Sequence, residues 1–407
     1  MRHGKRWLLA AAALLAAVAA VLALRPGPAP TPDPALFLDR HWQRPLPPQG
    51  SPPAAFTALE ASLDPAACGQ CHASQYADWR SSLHSRSMTA GILWQLRLLP
   101  QAEANQCLDC HAPLAEQKAL LAREHGWAGA PAEPPPAYVP ADLGHAGLTC
   151  AGCHVRRHQR FGPPPRPGVD PDRAPHGGFT VSAAFEDSRF CAACHQFPAD
   201  GPRTAGKLRE DTYEQWRASD FAARGVSCQS CHMPERRHLW RGVHTPEMVA
   251  AALTPALTVD AGEVRARLTN SGAGHHFPTY MVPKVYAQLV LIDAGGERVL
   301  TERVIGWQVD VSLQHEAFDT RLAPGASVEL AAPLPTDAGP SARAELRVLV
   351  APREHYERTF QAVLDQADKL DRRTLELLQQ AYDEARASRY EALRLSVPLD
   401  PGLETDR

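Results

Sequence analysis

Two regimes of hydrophobic patterning divide the chain. From about 253 to 352, polar and apolar residues alternate with period two. In "EVRARLT" Val264, Ala266 and Leu268 fall on one side, and Glu263, Arg265 and Arg267 on the other. "ARAELRVLV" repeats the alternation with Ala342, Ala344, Leu346, Val348 and Val350 on the apolar side. Successive side chains of a pleated backbone point to opposite faces, so this is the pattern of half-buried strands. "KVYAQLVLID" and "ASVELAAP" add further strands, and "DAGE", "DAGGE" and "LAPGAS" supply the turns. About six short strands at this spacing predict a small antiparallel β-sandwich over 253–352. Beyond Pro352 the period becomes helical, with Leu375, Leu378, Tyr382 and Ala385 on one stripe and Asp371 placed to cap the start. Residues 353–407 are therefore predicted as a C-terminal helical segment.

Ahead of 253 no period is sustained. "SQYADWRSSLHSRSM" and "DTYEQWRASDF" read as short helices, whereas "GWAGAPAEPPPAYVP" and "RFGPPPRPGVDPDRAPHGG" read as loops. The first 24 residues are different again: a basic start is followed by 18 apolar residues, Trp7 to Leu24. That is an export signal, long enough to serve as an N-terminal membrane anchor if it is not cleaved. Ala17 and Ala19 offer a cleavage pattern, so a removed signal peptide and a retained anchor both stand; either places the remainder outside the cytoplasm. Residues 25–54 contain ten prolines and predict a semi-rigid linker.

Composition narrows little. The chain has 407 residues, 44% hydrophobic, and a formal net charge of −3. That balance carries no nucleic-acid footprint, since basic runs such as "VRRHQR" are short and isolated.

The cysteines change the picture. All ten lie in one pattern: "CGQCH" from Cys68, "CLDCH" from Cys107, "CAGCH" from Cys150, "CAACH" from Cys191 and "CQSCH" from Cys228. Structural zinc commonly uses two Cys-x-x-Cys pairs per ion, and five pairs leave one over. Disulfides require no histidine after each pair. Thioredoxin-like redox motifs come singly. Cys-x-x-Cys-His is the attachment signal for c-type haem. Two thiols one helical turn apart reach the two vinyl groups of one haem edge, and the following imidazole lies beneath the ring to ligate iron. The covalent haem residues are thus Cys68, Cys71, Cys107, Cys110, Cys150, Cys153, Cys191, Cys194, Cys228 and Cys231, with proximal ligands His72, His111, His154, His195 and His232. Five haems c are the predicted cofactors. They share residues 55–252, too little chain for separate cores, so the porphyrins supply much of the interior. The fold class is α+β: a mostly helical and loop multihaem cytochrome c domain, then the small antiparallel β-sandwich, then the C-terminal helix.

Five proximal histidines leave up to five sixth positions to fill. Only five methionines are present, which makes histidine the expected second ligand; such ligation implies lower potentials than histidine with methionine. The stretch "CGQCHASQYADWRSSLHSRSM" resembles the Cys-x-x-Cys-His, Trp, Ser-x-His run of the cytochrome c-554-like multihaem cytochromes. "GLTCAGCHVRRHQRFGPPP", "APHGG", "FCAACHQF", "GVSCQSCHMPERRHLWRGVHTPEMV" and "NSGAGHHFPTY" are similar to segments of the same group, so the resemblance spans roughly 60–285. It implies His84, His176, His244 and His275 as distal-ligand candidates, with His238 as a fifth. In the double histidine, the family pattern Gly-His-x-Phe-Pro selects His275 and leaves His276 as a supporting donor or a spare. His275 would then cross from the sandwich to an iron of the preceding domain, with Phe277 against the haem edge. His158, four residues after His154, is set aside as a helix neighbour.

The expected function is electron transfer in a periplasmic respiratory chain by an exported pentahaem c-type cytochrome, with residues 7–24 as a candidate inner-membrane anchor. Its expected partners are redox proteins: a quinol-oxidising donor, other cytochromes or a terminal reductase. The alternative is a multihaem oxidoreductase acting on a small nitrogen or sulfur oxyanion. Pentahaem nitrite reductases share the haem count, but their catalytic haem commonly uses Cys-x-x-Cys-Lys, and all five motifs here end in histidine. No catalytic residue is assigned.

Overall fold

The alternation read from the sequence becomes two sheets around one core. In the computed structural model, which describes residues 33–260, 262–339 and 341–399, the C-terminal half carries eight main strands. These are β1 (Leu253–Asp260), β2 (Glu263–Asn270), β3 (Lys284–Asp293), β4 (Gly296–Val309), β5 (Glu316–Asp319), β6 (Ser327–Pro333), β7 (Arg343–Ala351) and β8 (Tyr390–Pro398). One sheet has the order β6-β2-β1 and the other β5-β4-β3-β7-β8, all neighbours antiparallel. Val264, Ala266 and Leu268 of β2 and Ala344, Leu346, Val348 and Val350 of β7 all enter the shared core. Removing this apolar surface from water is what stabilises the sandwich.

The C-terminal segment departs from the expectation of helix throughout 353–407. Two helices, α1 (Glu354–Leu364) and α2 (Arg372–Ala387), are followed by β8, which pairs with β7 and completes the larger sheet. The sandwich therefore extends past 352. Asp371 caps α2 as expected, accepting from the backbone N–H groups of Arg373 and Thr374 at 3.0 and 3.1 Å. The buried stripe of α2, Leu377, Leu378, Ala381 and Ala385, packs on Ala90 and Trp94 of the N-terminal half together with Phe360 of α1. The two halves are thus joined by an apolar contact.

The N-terminal half is a set of short helices and loops. Helices Ala73–Ser81, Thr212–Arg217 and Asp220–Ala223 fall in the segments expected to be helical. The Trp79 indole donates to the Leu148 carbonyl at 2.8 Å, and that of Trp216 to Val226 at 2.9 Å. The linker expected through residue 54 differs. A helix forms at Pro34–His41, capped by Asp33, and His41 is 3% exposed. Its Nε2–H donates to the Cys153 carbonyl at 2.7 Å, while Arg156 Nε donates to the His41 carbonyl at 2.8 Å. These contacts come from residues more than a hundred positions away, which local composition cannot signal. Residues 1–24 lie outside the described residues. Among the described residues no helix is long and apolar enough to cross a membrane.

Candidate haem sites

Each attachment motif lies in or at the end of a helical turn: Pro65–Gly69 leading into Cys71 and His72, then Gln101–His111, Cys150–His154, Arg189–His195 and Cys228–His232. Capping residues start three of them. Asp64 accepts from Ala66 N–H, Thr149 from Gly152 N–H and Ser227 from Ser230 N–H. A helical turn is what brings the two thiols of Cys-x-x-Cys to one side. All ten thiols are free of disulfides.

The histidine rings are oriented by backbone carbonyls. A carbonyl can only accept, so in each contact the imidazole Nδ1–H donates. His111 donates to Ser87, His154 to Phe161 and His232 to Arg241, at 2.8, 2.8 and 2.6 Å. Three of the distal candidates do the same: His176 to Gly178, His238 to Arg236 and His275 to His276, at 3.1, 3.1 and 2.9 Å. This fixes the tautomer and leaves Nε2 with its lone pair, the form in which histidine ligates a metal. Burial, helped by neighbouring histidines, pushes His84 down to about 3. Burial likewise pushes His154 and His275 down to about 4. All are neutral at physiological pH.

Ring placement then sorts the candidates. His84 stands 6.4 Å from His195 between ring centroids, His238 stands 6.2 Å from His154, and His275 stands 6.3 Å from His232. Two imidazoles bound on opposite sides of one metal, each through a bond of about 2 Å with its ring centre about 1 Å further, have centroids roughly 6 Å apart. Free thiol pairs, fixed tautomers and this spacing together fit haem c. His176 lies close enough to His72 for the charge of one to oppose that of the other. His244 enters no such ring pair among the described residues; it lies instead near Arg353 and Arg86. His111 likewise has no ring partner at this spacing.

The loop carrying His275 is built by the sandwich. Asn270, the last residue of β2, donates through Nδ2 to the carbonyls of His275 and Leu322 at 3.0 and 2.9 Å, and its Oδ1 accepts from Ala273 N–H at 3.1 Å. A Cβ on Gly272 would lie 2.0 Å from the Ala251 carbonyl oxygen, so only glycine fits that turn. His276 enters no ring pair with His232 among the described residues, and its backbone N–H donates to Gln215 Oε1 at 3.1 Å. Phe277 differs from the expectation of a haem contact: it is buried in the sandwich core and bridges Leu322 through paired backbone bonds of 2.9 Å. His158 is buried with its Nε2–H on the Gly50 carbonyl at 3.1 Å. His41 is not singled out by the sequence; its aromatic neighbours Phe37, Phe161 and Phe185 come from three separate segments.

The motifs also lie against one another. The thiols of Cys68 and Cys150 lie close to each other, as do those of Cys110 and Cys194, and of Cys191 and Cys228. Cys153 lies close to both Cys191 and Cys194. The first motif thus adjoins the third, the third adjoins the fourth, and the fourth adjoins the second and the fifth.

Residues 67–130 match the family model described as cytochrome c554 and c-prime. The fold is similar to the crystal structure of a penta-heme cytochrome c552 from Thermochromatium tepidum, at a TM-score of 0.55 and 19% identity, over 84% of this chain and 100% of that one. No curated protein matches the sequence.

Proposed function

We propose that the chain, whose residues 67–130 match the cytochrome c554 and c-prime family model, is an exported pentahaem electron-transfer protein of a periplasmic respiratory chain. Its partners are redox proteins, a quinol-oxidising donor on one side and other cytochromes or a terminal reductase on the other. Multihaem c-type cytochromes are typically periplasmic, and the apolar run Trp7–Leu24 provides the export signal and a candidate anchor.

The observation that carries this reading is the set of three facing imidazole pairs, His84 with His195, His154 with His238 and His232 with His275. Haem supplies one-electron redox chemistry when bound. The residues supply the rest. In each facing pair the two imidazoles would hold the haem iron from both sides and leave no position open for substrate, which favours electron transfer over substrate binding. Carbonyl-fixed tautomers hold the rings still, and so limit the reorganisation that accompanies each transfer. His176 is the proposed partner of His72. The order of the motifs gives a route from first to third to fourth, with branches from the fourth to the second and fifth. A potentiometric titration followed by low-temperature electron paramagnetic resonance tests the reading. Low-spin signals for at least four of five haems are expected; a majority of high-spin haem would overturn it.

A second reading has one observation of its own. His111 has its Nδ1–H fixed on Ser87, yet among the described residues no imidazole faces it at the spacing of the other pairs. Tyr356 of α1 lies near Cys107 of the same motif. The second haem would then be the one open to a small ligand, as an oxidoreductase acting on a nitrogen or sulfur oxyanion requires. Carbon monoxide added to the reduced protein separates the readings. Binding to one haem equivalent together with rapid turnover of nitrite or hydroxylamine supports the enzyme; no binding eliminates it.

A further inference from the structure

The segment between the fifth motif and the sandwich carries His238 on a backbone that needs outside support. Glu235, Arg236 and Trp240 have φ of 56°, 63° and 44°, a region that side chains with a Cβ occupy only when their surroundings over-determine it. The ties are visible. Arg236 reaches Glu186 at 2.5 and 3.0 Å and the Pro164 carbonyl at 2.8 Å. Arg166 donates to the Glu235 carbonyl at 2.9 Å, and Trp240 N–H donates to the His232 carbonyl at 2.9 Å.

At the centre is Asp78, which comes from the helix Ala73–Ser81, far away in sequence. Its carboxylate accepts from Arg237 Nη2 and Nε at 2.6 and 3.1 Å, and from the backbone N–H of His238 itself at 3.1 Å. The residue is 8% exposed. A carboxylate this buried is tolerated only when its oxygens are paired, so Asp78 and the conformation at 237–238 require each other. With its backbone held there, His238 donates from Nδ1 to Arg236 and meets the Trp240 ring edge-on at 5.1 Å and 87°. The ring is left facing His154 at 6.2 Å.

We propose that Asp78 is the positioning residue that presents His238 to the iron of the third haem, opposite His154. The proposal rests on the reading of His238 as an axial ligand. It gives the helix between the first two motifs a role at the third, through a charged residue that touches no iron.

The test compares the full-length holoprotein with His238→Ala, Asp78→Ala and Asp78→Asn, by electron paramagnetic resonance of the oxidised form and carbon monoxide difference spectra of the reduced form. Mass spectrometry confirms five attached haems in each. His238→Ala and Asp78→Ala are each expected to add one high-spin, carbon monoxide-reactive haem equivalent beyond the unaltered protein. Asp78→Asn keeps an acceptor for the His238 N–H but loses the charge facing Arg237, and converts the same haem in part. A spectrum of Asp78→Ala identical to the unaltered protein, with His238→Ala converted, overturns the positioning role alone. Unchanged spectra for His238→Ala overturn the ligand reading and the role with it. If Asp78→Ala does not accumulate, Asp78→Asn and Arg237→Met decide: conversion of the third haem supports the proposal, and unaltered spectra in both overturn it.

Discussion

The rings of His232 and His275 face each other at 6.3 Å and 16° from parallel, one at the end of the fifth attachment motif and the other on a sandwich loop. On the proposed ligation the sandwich contributes to a haem site rather than only covering one. His275→Ala is expected to turn one haem high-spin while all five stay attached. His276→Ala, on the residue held by Gln215, should leave the low-spin spectrum nearly unchanged. Equal spectra for the two variants would show that the facing pair holds no iron.

Five Cys-x-x-Cys-His motifs predict five covalent haems per chain. Denatured pyridine haemochrome quantitation and mass spectrometry should both give five. Replacing Cys191 or Cys194 with serine should lower the count to four or prevent folding. The fourth motif lies close to the second, third and fifth, and losing a porphyrin there would remove packing for all three. A count of five in Cys191→Ser would refute single-motif attachment at that site.

Leu378 of α2 is fully buried in the cluster that joins the C-terminal helices to Ala90, Trp94 and Phe360. Leu378→Ala should destabilise the protein by about 2–5 kcal/mol, from lost apolar burial and the cavity left behind. Denaturant titration measures this. Haem content and spin state should be unaffected, because no ligand lies on α2.

Glu116 tests a buried charge. Its Oε1 accepts from the Gln49 N–H at 2.6 Å, and the buried carboxylate lies beside the Tyr138 phenol. Burial raises its carboxyl above the ordinary 4.5, against the lowering effect of the Gln49 N–H. The folded state therefore holds the proton more tightly than the unfolded chain does. That contribution to stability is fully present below pH 4.5 and is lost as pH rises through the raised folded value. Glu116→Gln should flatten this decline and raise the melting temperature at pH 7. Parallel melting curves from pH 4 to pH 7 check it; identical slopes for the two proteins would refute the assignment.

The local chemistry was legible in the sequence. Thiol attachment needs two cysteines one turn apart and a histidine beside them, so the five motifs are legible from spacing alone and predict the proximal ligands and the haem count. The alternation in Val264, Ala266 and Leu268 and in Ala344, Leu346, Val348 and Val350 also survives intact, because a sheet with one buried face leaves that signature wherever it forms.

Partnership was decided only by the tertiary structure. Nothing near His84 in sequence says that it faces His195, and the facing of His238 with His154 arises only where Asp78, Arg237 and the left-handed residues Glu235, Arg236 and Trp240 shape the segment around it. The helix Pro34–His41 was hidden by its prolines and is held by Cys153 and Arg156. β8 was hidden by the helices before it and exists because β7 offers it an edge. A covalent motif needs only its neighbours along the chain. An axial partner, a capping strand and a docked helix are each selected by residues far away in sequence, through burial and hydrogen bonds that exist only once the chain has folded.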